Sequence, residues 1–254
     1  MKKVFVTICV LALLGAMLGC FVGCNAADEG KTSADGNWQY VEKEDGSVSL
    51  TTYCGTDGHV IVPAEVDGKA VTSIEQGLFV SINDGSTKKR MREVYQDNEV
   101  VQSIEFEADI EEIPARTFYL CAYLQTVVLP AHVKTIGDFA FYGCRTLTDI
   151  VLPATCEGIG AYCFRECESL SNVTILNPAL IKIGDKCFYM VDNKASGDDQ
   201  YYIIKNLKIF PVNPTVYDSD AIEANRRATK KNDYRYWKDY IEAGLVVGGV
   251  PAAK

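Results

Sequence analysis

One stretch of this chain is written twice. LQTVVLPAHVKTIGDFAFYGCRT, starting at Leu124, is followed 23 residues later by LTDIVLPATCEGIGAYCFRECES, starting at Leu147. Leu, Leu-Pro, Ile-Gly, Phe and Cys return in the same columns. A fixed period of this size means one small supersecondary unit stacked on copies of itself, because a single copy cannot bury its apolar face alone. The core is therefore expected as files of side chains running from unit to unit.

The same ruler finds weaker copies outward. An isoleucine followed by phenylalanine after four intervening residues recurs at Ile74/Phe79, Ile113/Phe118, Ile136/Phe141, Ile159/Phe164 and Ile183/Phe188, an array of at least five units. Phe118, Phe141 and Phe164 are 23 apart and Phe188 follows after 24, whereas Phe79 and Phe118 are 39 apart. That gap predicts an insertion of about 16 residues between Ser81 and Gln102, looped out on one face.

Within a unit the period changes. Thr126-Val-Val-Leu129 and Asp149-Ile-Val-Leu152 alternate as strands do and stop at Pro130 and Pro153, where a ladder donor is missing. Further on, Phe141/Cys144 and Phe164/Cys167 stand three apart, which predicts one face of a short helix over 138–144 and 161–167. The column of Gly137, Gly160 and Gly184 also holds Pro114 and Glu75. Proline is locked near a φ of about −65°, so this column predicts the first turn of a helix rather than an obligatory positive φ.

The cysteines obey the columns too. Cys121, Cys144 and Cys167 are one period apart, Cys163 and Cys187 replace Ala140, and Cys156 replaces Val133. Residues that trade places with Ala and Val behave as small hydrophobes, and free cysteine is among the most buried types. A metal site needs clustered Cys or His, and His59 and His132 lack companions in the sequence. Disulfides between neighbouring repeats stay open as an alternative.

The N-terminus reads as an export signal over 1–23: Lys2-Lys3, an apolar run, then small residues before cysteine. Gly19-Cys20 and Gly23-Cys24 resemble the lipobox of bacterial lipoprotein signals. That resemblance implies lipidation of Cys24, with Cys20 as the alternative; a plain hydrophobic anchor or a soluble secreted product is the other reading. Two or three acyl chains, at about 0.8 kcal/mol per buried methylene, attach a protein stably where one holds marginally. Residues 24–37 are expected as a flexible spacer. Formal charge is −9, and −11 once Lys2 and Lys3 leave with the signal. Such acidity argues against nucleic acid as a partner.

From Trp38 the chain is β-rich, with strands expected over Ser47–Cys54 and Val60–Pro63; this stretch is placed to cover the open end of the first unit. At the other end, the stretch 220–243 carries few helix breakers and spaces Tyr234, Trp237, Tyr240 and Ile241 on one face, predicting a helical cap, 213–244, over the last unit; the alternative is an aromatic binding stripe. Residues 245–254 are expected as a loose tail. No nucleophile with a base, Walker loop, dinucleotide glycine fingerprint or HExxH is present, and the acidic run 105–112 lacks the spacing of a Ca²⁺ loop. Neither catalysis nor a cofactor is expected.

The pattern Leu124, Val127, Leu129, Pro130, Val133, Ile136, Gly137, Ala140, Phe141, Cys144, Leu147 resembles the BspA-like leucine-rich repeat column for column. The resemblance covers about residues 40–190 and thins toward 212. It implies an α/β solenoid, right-handed, with short parallel strands lining one face, short helices, a β-rich N-terminal cap and a helical C-terminal cap, the repeat domain running 38–212 with its insertion at 81–102. It also implies a surface-anchored, non-catalytic module for protein recognition or adhesion, its partner a protein or other macromolecule at the cell surface and its membrane contact the lipid. By alternation the binding face is expected to carry Ser103, Glu105, Thr126, Val128, Asp149, Val151, Asn172, Thr174, Asn206 and Lys208. The competing expectation is an envelope-associated scaffold that uses the insertion or the C-terminal helices as its contact.

Overall fold

The computed structural model describes residues 30–82, 95–179, 181–191, 201–218, 220, 222–224 and 236–248, and covers the backbone but not the side chains at 81, 82, 95 and 96. The expected signal, Cys20 and Cys24 lie outside the described residues. Among those that are described, no helix is long and apolar enough to cross a membrane.

Three Asp-Gly turns, at Asp35-Gly36, Asp45-Gly46 and Asp67-Gly68, build an N-terminal sheet. Its strands β1 (Lys31–Thr32), β2 (Trp38–Glu42) and β3 (Val48–Tyr53) are joined, past β4 (His59–Val62), by β5 (Glu65–Val66) and β6 (Lys69–Ile74), in the order β1-β2-β3-β6-β5. Asp67 (φ 51°) and Gly68 (φ 74°) turn β5 into antiparallel β6; both central residues of such a two-residue hairpin need positive φ. The stretch 31–37, expected as part of the spacer, belongs to this sheet. Lys31 and Thr32 pair with Tyr40 and Gln39, and the buried Ser33 hydroxyl donates to Asp35 while accepting the Trp38 N–H.

From β4 onward the chain coils. The insertion leaves and returns as antiparallel β7 (Ser81–Ile82) and β8 (Tyr95–Gln96), with 83–94 outside the described residues. Two parallel ladders then run along the stack. One edge carries β4, β9 (Ser103–Phe106) and β11 (Thr126–Val127), followed by β13 (Asp149–Leu152), β15 (Asn172–Ile175) and β19 (Lys208–Pro211). Another carries the two-residue strands β10 (Glu112–Ile113), β12 (Thr135–Ile136), β14 (Gly158–Ile159) and β16 (Lys182–Ile183), each paired in register with the next. After β17 (Tyr189–Val191) and its antiparallel partner β18 (Tyr201–Ile203), the last described residues form α1 (Trp237–Glu242) and a short return.

The segments expected as helices over 138–144 and 161–167 are tandem turns, and the described chain from 95 to 191 contains no helix. Arg116, Leu120, Phe139, Gly143, Tyr162 and Glu166 sit at φ between 56° and 73°. The cause is where their amides find partners. Phe139, Phe141 and Gly143 donate across to the carbonyls of Ala161, Cys163 and Arg165 in the next rung, each at 2.9 Å, and Tyr162, Phe164 and Glu166 repeat this with Asp185, Cys187 and Tyr189. A helix would spend those N–H groups on its own carbonyls and leave the rungs unlinked on this side. Three-residue spacing survives because single turns close it, as in the Cys144 N–H to Phe141 carbonyl bond at 3.2 Å.

The glycine column is explained by the same closeness. None of Gly137, Gly160 and Gly184 takes a positive φ, in keeping with the proline in that column. Yet a Cβ on Gly137 would stand 2.5 Å from the Ala115 nitrogen, one on Gly160 at the same distance from the Asp138 nitrogen, and one on Gly184 would strike the Ala161 backbone. Glycine is required there for approach between rungs, not for dihedral freedom.

Inside, the phenylalanines form one file. Ring centroids of Phe79, Phe118, Phe141, Phe164 and Phe188 are separated in turn by 5.4, 4.7, 5.1 and 5.4 Å, all stacked and all buried. Trp38 and Tyr53 meet Phe79 at one end, and Tyr240 meets Phe188 edge-on at the other. Trp237 and Tyr240 are turned inward, the indole N–H donating to the Ile181 carbonyl at 2.8 Å and the Tyr240 hydroxyl accepting the Phe188 N–H. These two rings are therefore spent on the stack rather than presented as a binding stripe; Tyr234 lies outside the described residues. The loose tail expected from 245 starts with structure too. Ile209 donates to the Leu245 carbonyl and receives the Val247 N–H, each at 2.8 Å, so Val246 extends the strand edge.

Candidate recognition face

Alternation on a strand sends every second side chain outward, and parallel pairing in register turns those side chains into columns. The register His59↔Ser103↔Thr126 and Asp149↔Asn172↔Lys208 makes one polar column along the stack. Two of its contacts are ordered: His59 Nδ1 lies 2.7 Å from the Ser103 hydroxyl, and the Asn172 amide donates to Asp149 at 2.6 Å. The neighbouring column holds Ile61, Glu105, Val128, Val151, Thr174 and Phe210. Here apolar side chains face solvent: Ile61 is 52% exposed, Val128 60% and Val151 50%. Beyond the strand ends, exposed Leu176 and Val212 stand beside half-buried Pro153.

Most of the residues expected on this face are there, with two exceptions. Thr174 points outward but is buried, its short side chain shadowed by its larger neighbours Val151 and Phe210. Asn206 is exposed but precedes β19 in a turn at φ 67°, because the register pairs Lys208, not Asn206, with Asn172. Phe210 takes the place opposite Thr174.

Five residues of the face are absent from the sequence expectation: His59, Ile61, Leu176, Phe210 and Val212. A signal for the first pair was present. Val60-Ile-Val-Pro63 has the same strand-then-proline form as Val127-Val-Leu-Pro130 and Ile150-Val-Leu-Pro153, and β4 indeed pairs in parallel with β9 as the first rung of the edge. Reading it as a terminal cap hid its role. For Leu176, the signal was its position in the column of Pro130 and Pro153. Pro211 misled for the last rung, since it stands opposite Ile175 and thus one place earlier than the prolines before it.

Other polar groups serve the stack. His132 lies 2.8 Å from Asp109, and Lys134 is 2.8 Å from Glu111; partners in both pairs are one period apart, and the hydrogen bond that Lys134 donates to Glu111 raises its ammonium above the ordinary value. Burial pushes the Cys121 thiol well up and that of Cys156 to about 11, which suppresses the nucleophilic thiolate at neutral pH. On the turn side Arg165 lies 5.3 Å over the Tyr162 ring and 5.0 Å over Tyr201, and burial raises the neighbouring Glu166 carboxyl. No group of three or more His, Cys, Asp or Glu among the described residues is placed to hold a metal.

Residues 90–196 match the BspA type leucine rich repeat region in six copies. No curated protein matches the chain significantly. Among solved structures, a leucine-rich repeat protein of T. pallidum is similar over 71% of this chain and 71% of its own, at 21% identity and a TM-score of 0.51, a likeness of fold. A leucine-rich repeat protein from Bacteroides ovatus aligns with 70% of this chain and 40% of its own, at 22% identity and a TM-score of 0.47. A leucine-rich cell surface protein from Faecalibacterium prausnitzii aligns with 70% and 62%, at 16% identity and a TM-score of 0.39.

Proposed function

We propose that this chain, whose residues 90–196 form a BspA-type leucine-rich repeat region, is a non-catalytic recognition module that binds another protein through its strand edge. One observation carries the reading. Val128 and Val151 stand side by side in an ordered, solvent-facing file that Ile61 opens beyond Glu105, flanked by a polar column and by exposed Leu176 and Val212. Isolated exposed apolar side chains are ordinary, but a contiguous strip rimmed by polar groups is how protein-binding surfaces are built. The acidic side chains Glu105 and Glu107 toward one end and Lys208 toward the other give the strip a direction. Such charges at a rim set orientation and encounter rate more than affinity.

The module works outside a bacterial cell, exported by residues 1–23 and held by lipid on Cys24, or on Cys20 in its place. The sequence of the signal supports this part. Mass spectrometry of the mature N-terminus tests it: a diacyl or triacyl cysteine at position 24 or 20 is expected, and a chain still starting at Met1 removes the anchor while leaving the recognition reading intact. Recognition itself is tested by comparing the chain with the V128R/V151R variant in binding to extracellular-matrix and bacterial surface proteins. Loss of a saturable interaction in a variant that keeps the thermal midpoint is expected. Equal binding by both proteins would count against the strand edge as the contact.

A further inference from the structure

The outward file of the strand edge reads the same from either end. From the first rung to the last it runs Ile61, Glu105, Val128, Val151, Thr174, Phe210: apolar, polar, apolar, then apolar, polar, apolar. The ladder beneath it divides at the same place. Strands β4, β9 and β11 form one three-stranded sheet and β13, β15 and β19 another, so the midpoint of the file falls between exposed Val128 and exposed Val151.

A surface that matches its own reverse is what a two-fold contact requires, because there residue i meets j and j meets i. A second copy, turned about an axis that runs parallel to the strands between β11 and β13, lays file on file with the rungs in opposite order. Val128 then meets Val151 of the other copy, twice over, and Ile61 meets Phe210. Glu105 is exposed, whereas Thr174 is buried between its larger neighbours Val151 and Phe210. The turn therefore sets a protruding carboxylate over a dip whose hydroxyl is a donor. In the polar column it opposes Ser103 to Asn172 and Thr126 to Asp149, pairs that can hydrogen-bond; His59 opposite Lys208 gains nothing. The Glu105 end of one copy also comes to lie against the Lys208 end of the other, so the charges that give the strip its direction are complementary across the contact.

We propose that the strand edge binds a second copy of this chain as an isologous, antiparallel dimer with Val128 and Val151 at its centre. This rests on the recognition reading and names its partner. The six strands of this edge, about 4.8 Å apart and with about three outward positions each, present on the order of 500 Å² per copy. A standard stable interface covers roughly 800 Å² on each partner, so the dimer is weak and forms reversibly as concentration rises.

Two measurements on the purified full-length chain in mild detergent test it. In sedimentation equilibrium over a concentration series, the mass should rise from one copy toward two, and V128R/V151R should return it to one copy throughout. That variant leaves residues 1–23 untouched, so association through the apolar N-terminus would survive it. Orientation is read by mixing copies that carry I61C with copies that carry F210C and bridging them with a short bismaleimide. Peptide mapping should find links between positions 61 and 210 that neither variant gives alone, and none from 61 to 61. A single copy at every concentration, a dimer that V128R/V151R leaves intact, or links of 61 to 61 would overturn the proposal. A chain that stays single yet binds a surface protein through Val128 and Val151 would overturn it as well, while leaving the recognition reading standing.

Discussion

The two sides of a rung are held by different means. On the turn side, side chains at Phe141, Cys144, Phe164 and Cys167 have no exposed surface, alternate amides are fixed to the next rung, and the glycine column has no room for a methyl group. On the strand side the backbone is laddered just as regularly, yet the outward columns run through His, Ser, Thr, Asp, Asn and Lys, and through Ile, Glu, Val, Thr and Phe. The backbone holds both edges, but only the turn side dictates side-chain identity. The packed core side and the proposed recognition face are thereby placed on opposite edges of one unit, so each is expected to change without the other.

The sharpest way to break that comparison is at the middle of the phenylalanine file. Phe141→Ala should cost about 3–5 kcal/mol in chemical denaturation, since the ring is stacked on both sides; a loss under 1 kcal/mol would mean the turn side is not the load path. Gly160→Ala comes next. Its methyl group meets the Asp138 backbone at 2.5 Å, so overpacking should cost about 1–3 kcal/mol, where alanine in an ordinary turn would be neutral. Thr155→Val probes an intermediate position. The Thr155 hydroxyl reaches the Ala131 and Val133 carbonyls at 3.0 and 2.7 Å, and removing it should cost about 1 kcal/mol. Val128→Arg with Val151→Arg should stay within about 0.5 kcal/mol of the parent while abolishing partner binding, a result opposite in kind to the first two.

The smallest effect lies at the N-terminal sheet. Glu42 receives Lys31 and Lys69, and those hydrogen bonds hold its carboxyl near about 2, below the ordinary 4.5. A depressed acid stabilises the fold above its unfolded value, and the contribution fades as pH falls from 4.5 through about 2. A carboxyl NMR titration of the intact chain should show that low midpoint, and Glu42→Gln should flatten the pH dependence in this window alone; a midpoint at the ordinary value would show the two lysines to be idle.

Much of this was legible in the residues themselves. The period announced the stack, the Ile and Phe columns named its core, and the cysteines trading with Ala and Val were read as buried. Misreadings cluster where a partner distant in sequence decides. Helical spacing at 138–144 was real, but it could not reveal that Phe139 and Gly143 would give their N–H groups to another rung. Lys31 and Ser33 looked like a polar spacer because their partners, Tyr40 and Trp38, were counted as part of something else. Pro211 resembled the prolines that close earlier strands, and only the register with Ile175 moved Phe210 onto the face and Asn206 off it.

Repetition in the sequence settled by itself that the chain must stack, because identical apolar faces recurring at a constant interval have nowhere to go but onto one another. Tertiary structure alone decided how each rung closes and which outward residues stand side by side. Both depend on hydrogen bonds between backbones more than twenty residues apart, and a side-chain pattern carries no record of which amide a carbonyl will meet.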